Sequence, residues 1–167
     1  LTVLLKQGAK HMIRLKHLDE GIMNLVIDIN RIPDVHTLTN CEGHIWRDCP
    51  AWPTKDGWLH FLTEKNENKG LLNKISEYCS DFDHMSIDTR NYTNRLVHTI
   101  SAGFEPHHTS GMENIFEQMS KRKQEEYFKR ADVRKEEILN NWSDLNGLVR
   151  SYIKNNISEH VDSLRYR

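Results

Sequence analysis

Twice along this chain a stretch with helical apolar period gives way to two short runs rich in β-branched and aromatic residues, and that repeated order restricts the fold more than any other feature. Ile22, Leu25, Val26 and Ile29 recur at helical spacing behind Asp19, a natural N-cap, and Pro33 stops the pattern. Val35 to Thr39 reads as a strand, and Trp58 to Leu62 as a second one introduced by an Asp56-Gly57 turn. Leu71, Leu72, Ile75 and Cys79, following Asn68-Lys69-Gly70, predict a second helix ending near Asp81. Strands follow at Met85–Thr89 and Arg95–Ala102, joined by the polar run Asn91 to Asn94. The order αββαββ predicts an α+β fold with a sheet of about four strands and flanking helices.

The remainder is helical. Ser110 and Glu113 have the spacing of a capping box, and Ile138, Trp142, Leu145, Val149 and Tyr152 repeat at alternating intervals of four and three, the stripe of a helix laid on a partner. The apolar rhythm lapses from Ser120 to Glu126, so the tail is one long helix or two joined there. A projecting helix would support a homodimer; a helix folded back would cover one sheet face. A length of 167 residues suits one α+β domain, with residues 12–104 as its α/β core and 110–158 as its helical segment. The residues before Met12 carry little weight for the fold. Between the first two strands, Ile45 to Lys55 holds two prolines and two tryptophans and reads as an irregular loop able to overhang the turn before it.

Charge narrows the partners. Lys and Arg nearly balance Asp and Glu, for a net charge of -1, so the broad basic field of a non-specific nucleic-acid binder is missing and RNA remains only as a specific ligand. No window approaches the length of a membrane span, and an odd set of cysteines, Cys41, Cys49 and Cys79, fits a reducing, cytoplasmic setting better than a disulfide framework. The sequons at Asn91, Asn141 and Asn156 carry no weight without a secretory route.

The chemistry concentrates where the first strand ends, at Asn40-Cys41-Glu42-Gly43-His44. Cys41, His44, Cys49 and His60 space four zinc-type ligands as C-x2-H-x4-C-x10-H, which makes zinc the candidate cofactor. Cys41 beside His44 is also the minimum pair for a nucleophile and base, and Glu42 or His44 is a candidate proton carrier. Strand parity puts His60 on the face of Trp58 and Leu62, and His98 on that of Leu96 and Ile100, so the two imidazoles would meet if their strands are neighbours. Trp46 and Trp52 could cover the cleft. His107 and His108, just before the capping box, mark a helix start suited to an anion, although Thr109 and Ser110 are sufficient as caps. Asp81, Asp83 and His84 read as the polar end of the second helix. Lys121-Arg122-Lys123 reads as a solvated helix face.

Taken together, the first helix, the Val-x-Thr strand, Cys41-Glu42-Gly43-His44 and the aromatic strand with Trp58 and Phe61 resemble the Thr-Ser-Ser-Cys-Ser-Gly-Arg region of the wybutosine-synthesis methyltransferase-like family. They also resemble small uncharacterised bacterial and phage proteins with a Ser-Cys-Glu-Gly-His segment. The first resemblance implies a cleft lined by the Cys41 turn, S-adenosylmethionine, and a modified guanosine in tRNA. The chain departs from that family where Thr39, Asn40 and Glu42 replace serines and His44 replaces arginine, exchanging a fixed positive charge for a negative one. The residues therefore point to a small molecule or nucleotide bound at the Cys41 turn by Asn40, Cys41, Glu42 and His44. The alternatives are a metal-dependent or Cys/His enzyme in the same cleft, and an interaction module built on the C-terminal helix.

Overall fold

The structure, a computed structural model, describes residues 19–49, 53–64, 68–104, 116 and 118–157. Helix α1 (Glu20–Ile29) leads into β1 (Val35–Cys41), a two-residue ladder formed by β2 (His44–Ile45) and β3 (Thr54–Lys55), and β4 (Gly57–Glu64). Helix α2 (Lys69–Ser80), the hairpin β5 (Met85–Tyr92) and β6 (Arg95–Ala102), and helix α3 (Lys121–Asn156) complete the order. The fold is α+β: four antiparallel strands in the order β1-β4-β6-β5, flanked by helices. The expected strands are present, and β1, β4 and β5 run two or three residues further than their β-branched cores. Thr93, at φ +54°, makes the tight β5–β6 connection.

Alternation along the strands gives the sheet two different faces. Leu59, Phe61 and Thr63 of β4 and His98, Ile100 and Ala102 of β6 are buried under the helices, whereas Trp58, His60, Leu62 and Glu64 and their partners Ser101, Thr99, Val97 and Arg95 face outward. The covered face meets Ile22, Leu25, Val26 and Ile29 of α1 and Leu71, Ile75 and Cys79 of α2 in one apolar cluster. The α3 stripe joins it. Ile138, Trp142, Leu145 and Val149 have no exposed surface, and α3 makes its broadest helix contact with α1. The stripe thus belongs to the chain's own core, and a dimer through α3 would have to use another side of the helix.

The lapse at Ser120 to Glu126 is resolved as a helix start. Ser120 takes the extended N-cap conformation, and α3 runs unbroken for 36 residues, about 54 Å at the usual rise. Its polar residues tie the layers together. His84 Nε2 contacts Asn141 Oδ1 at 2.9 Å while Arg134 donates to His84 Nδ1, so the ring donates through Nε2; Asn141 in turn donates to Tyr78 Oη at 2.9 Å. Asp28, also buried, accepts from Arg31 at 2.5 Å and Arg150 at 2.6 Å. Among the described residues no helix is long and apolar enough to cross a membrane.

Candidate functional site

The segment expected to be an irregular loop is anchored at both ends. His44 pairs with Lys55 and Ile45 with Thr54, and this ladder docks on α3 through Thr54–Tyr127 at 2.8 Å and Arg47–Asp132 at 2.6 Å. The Cys41–His44 turn is therefore held between the N-terminus of α1, the β2–β3 ladder and α3.

A reciprocal pair of backbone bonds fixes its height against α1. The Asp19 carboxylate accepts the Glu42 N–H at 3.0 Å, and the Glu42 carboxylate accepts the Gly21 N–H at 2.6 Å. Asp19, the N-cap residue, thus gives its side chain to the turn that follows β1 rather than to its own helix, and Glu42 satisfies the helix in its place. Glu42 also pairs with Lys135 at 2.9 Å, and Lys135 reaches the Gly43 carbonyl as well. These duties occupy Glu42, so as a proton carrier it would have to break a charge pair and release a helix amide.

Gly43 makes the turn. Its φ is +90°, and a Cβ there would lie 3.1 Å from Gly57 N, 3.2 Å from the Phe104 ring and 3.3 Å from Lys55 O. Gly43→Ala should cost about 2–3 kcal/mol by strain plus crowding. Gly147→Ala, in open space on α3, should instead gain about 0.5–1 kcal/mol. Thermal unfolding of both variants checks the pair, and equal shifts would contradict the account of the turn.

Cys41, His44 and Asp19 converge. One ligand atom from each lies within 4.8 Å of the others, and His44 Nε2 stands 3.2 Å from Asp19 Oδ2. Burial pushes the Cys41 thiol above its usual pKa; the Gly43 amide facing the sulfur opposes this, Asp19 adds to it and Lys55 opposes it. A thiol held protonated is a poor nucleophile, so nucleophilic catalysis is not what this geometry favours. Cys49 and His60 stand outside the convergent group, which corrects the expected four-ligand set. Cys49 follows a tight turn at Trp46, and His60 Nδ1 meets Thr39 Oγ1 at 3.2 Å on the open face.

The histidine pair is also corrected. β4 and β6 are neighbours, but the register sets His60 against Thr99 and Phe61 against His98, so the two imidazoles emerge on opposite faces. His98 is buried between Thr63 Oγ1 and Thr89 Oγ1, each at 2.9 Å, and cannot face the site. Asn40 pairs with Leu59 and so points to the covered side, where its Oδ1 is buried without a partner among the described residues. Trp52, His107, His108 and the Ser110–Glu113 capping box lie outside the described residues.

Beside the turn, aromatic rings form a shelf. The His44 and Trp46 rings are stacked, with centroids 6.0 Å apart and planes 7° from parallel. The Lys55 ammonium lies 4.6 Å from the Trp58 centroid and 5.8 Å from that of Trp46, and Trp46 keeps 41% of its surface exposed. At the other end of the open face, six residues along β4 or about 20 Å, a cavity of about 660 Å³ is lined by Leu38, Leu62, Glu64, Tyr92, Thr93, Asn94, Arg95 and Val97. Leu38 reaches it because a register shift between Thr37 and Thr39 interrupts the β1–β4 pairing. Sequence reasoning missed this cavity, whose walls are brought together only by the strand register, and missed Asp19 as a partner of Cys41 and His44.

No family model matches the chain, and no curated protein does. Among solved structures it is similar to that of the PH1069 protein from Pyrococcus horikoshii, with 14% identity, a TM-score of 0.46, and 84% of this chain and 86% of that chain covered.

Proposed function

We propose that this protein binds a nucleotide-like small molecule on the shelf beside the Cys41–His44 turn, its base stacked on Trp46 and its phosphate or other anionic group paired with Lys55. The observation that carries the reading is the ring geometry: an exposed tryptophan held parallel to His44, with an ammonium drawn over both neighbouring indoles. Large surface aromatics are costly to leave in water, and one backed by a stacked ring with a cation beside it offers the two contacts that sequence-tolerant base binding uses. The reciprocal bonds of Asp19 and Glu42 hold the turn rigid, so little ordering cost falls on the ligand.

The resemblance to the wybutosine-synthesis methyltransferase-like family favours guanosine nucleotides and S-adenosylmethionine as the first ligands to try. Binding, rather than chemistry, is the function we assign, because Glu42 is engaged in structural bonds and Cys41 is held as a thiol. Three free cysteines support a reducing cytoplasm as the place of work.

Calorimetric titration with guanosine monophosphate, adenosine monophosphate and S-adenosylmethionine tests this. At least one should bind, and Trp46→Ala should weaken it about tenfold or more, the usual worth of a stacked base. Binding that Trp46→Ala leaves unchanged would remove the shelf from the account.

A further inference from the structure

We propose that Asp19, Cys41 and His44 form a three-ligand site for a zinc-class divalent ion, with the fourth tetrahedral position open to water or to a ligand. The proposal goes beyond nucleotide binding and does not depend on it. Among the described residues, this is the one His/Cys/Asp/Glu group whose ligand atoms converge to within 4.8 Å.

The donor set selects the metal. A thiolate, an imidazole and a carboxylate suit zinc or its late-transition neighbours, whereas magnesium and calcium require mostly oxygen. Zinc bonds of about 2.0–2.3 Å in a tetrahedron place ligands about 3.3–3.8 Å apart. The His44–Asp19 contact at 3.2 Å already has that spacing, and Cys41 Sγ, within 4.8 Å of both, has at most about 1 Å to close, within the reach of a side-chain adjustment.

Two of the ligands are oriented by a second contact: the Glu42 N–H holds the Asp19 carboxylate, and Trp46 stacks on the His44 ring. The charges balance as well: the Asp19 carboxylate and the thiolate offset the ion, and Glu42 is already neutralised by Lys135. On binding, the ion sheds waters and the Cys41 proton passes to solvent, so affinity rises with pH.

Cobalt is the probe. The full chain, stripped with a chelator, should show a sulfur-to-cobalt charge-transfer band that saturates at one Co²⁺ per chain and is displaced by Zn²⁺. Cys41→Ser should abolish the band and Cys49→Ser should leave it intact, while His44→Ala and Asp19→Asn, both at partly exposed positions, should each weaken cobalt binding at least about tenfold. Circular dichroism confirms that each variant is folded, and His44→Ala decides the matter if Cys41→Ser is not. A folded wild type without the band, a band that survives Cys41→Ser or disappears in Cys49→Ser, or an unchanged affinity in His44→Ala would overturn the proposal. No nucleotide is present, so failure here leaves the shelf untouched, and failure of nucleotide binding leaves the metal site untouched.

Discussion

Trp142→Ala should destabilise the protein by about 3–5 kcal/mol, the range for removing a fully buried tryptophan. The indole has no exposed surface, packs against Gly57 and donates through Nε1 to the Glu42 carbonyl at 3.3 Å. The substitution leaves a cavity where α3 meets the sheet and frees the carbonyl at the centre of the Cys41–His44 turn. Trp142→Phe keeps most of the apolar volume and loses the hydrogen bond, so it should cost clearly less, about 1–2 kcal/mol. Urea unfolding of the three proteins gives the differences. A loss under 1 kcal/mol for Trp142→Ala would mean that α3 is not the cover of this face.

His98 should give the protein an acid limb in its stability profile. Burial without a carboxylate partner depresses its pKa to about 4, against about 6.5 in an unfolded chain. Between those values the unfolded chain holds a proton that the folded one refuses, so stability is full above about pH 6.5 and falls as pH drops toward 4. The slope is up to about 1.4 kcal/mol per pH unit, and the total is about 3 kcal/mol. His98→Gln, which can still bond Thr63 or Thr89, should lower stability at neutral pH and flatten this limb. Unfolding midpoints between pH 4 and 7 for the two proteins read the difference, and parallel curves would contradict the assignment to His98.

The order of elements was legible because periodicity survives folding: the four apolar residues of α1, the Leu71–Cys79 set of α2 and the β-branched runs of β1, β4, β5 and β6 each meet the same covered face. Strands of two residues carry no period, so β2 and β3 were hidden among prolines and tryptophans. Their place is set by contacts to Tyr127 and Asp132, some 70 to 85 residues away. The start of α3 was ambiguous because its first turn is basic and solvated, leaving no apolar stripe to mark it.

Within the site, the turn at Cys41 was legible and its partners were not. Parity assigned His60 and His98 to faces correctly within each strand, but which face of one strand coincides with which face of the next depends on register, and register is fixed by tertiary pairing. Asp19 read as a helix cap because an N-cap aspartate before an apolar period is the commonest case. Here its oxygen goes to Glu42 instead, a contact across 23 residues that no local pattern records. Asn141 and Asn146, buried on α3, were hidden for the same reason: a helix sequence does not say which polar residues will find partners inside.

Ligand binding on the Trp46 shelf is tested by a two-dimensional ¹⁵N–¹H NMR titration of the full chain with guanosine monophosphate, and in parallel with S-adenosylmethionine. At least one of them should shift the indole signals of Trp46 and Trp58 and the amides of His44 and Lys55 together, saturating on one binding curve. Shifts confined to Tyr92, Arg95 and Val97 would place the ligand in the cavity at the far end of the sheet, and no shifts at millimolar nucleotide would contradict the binding function itself.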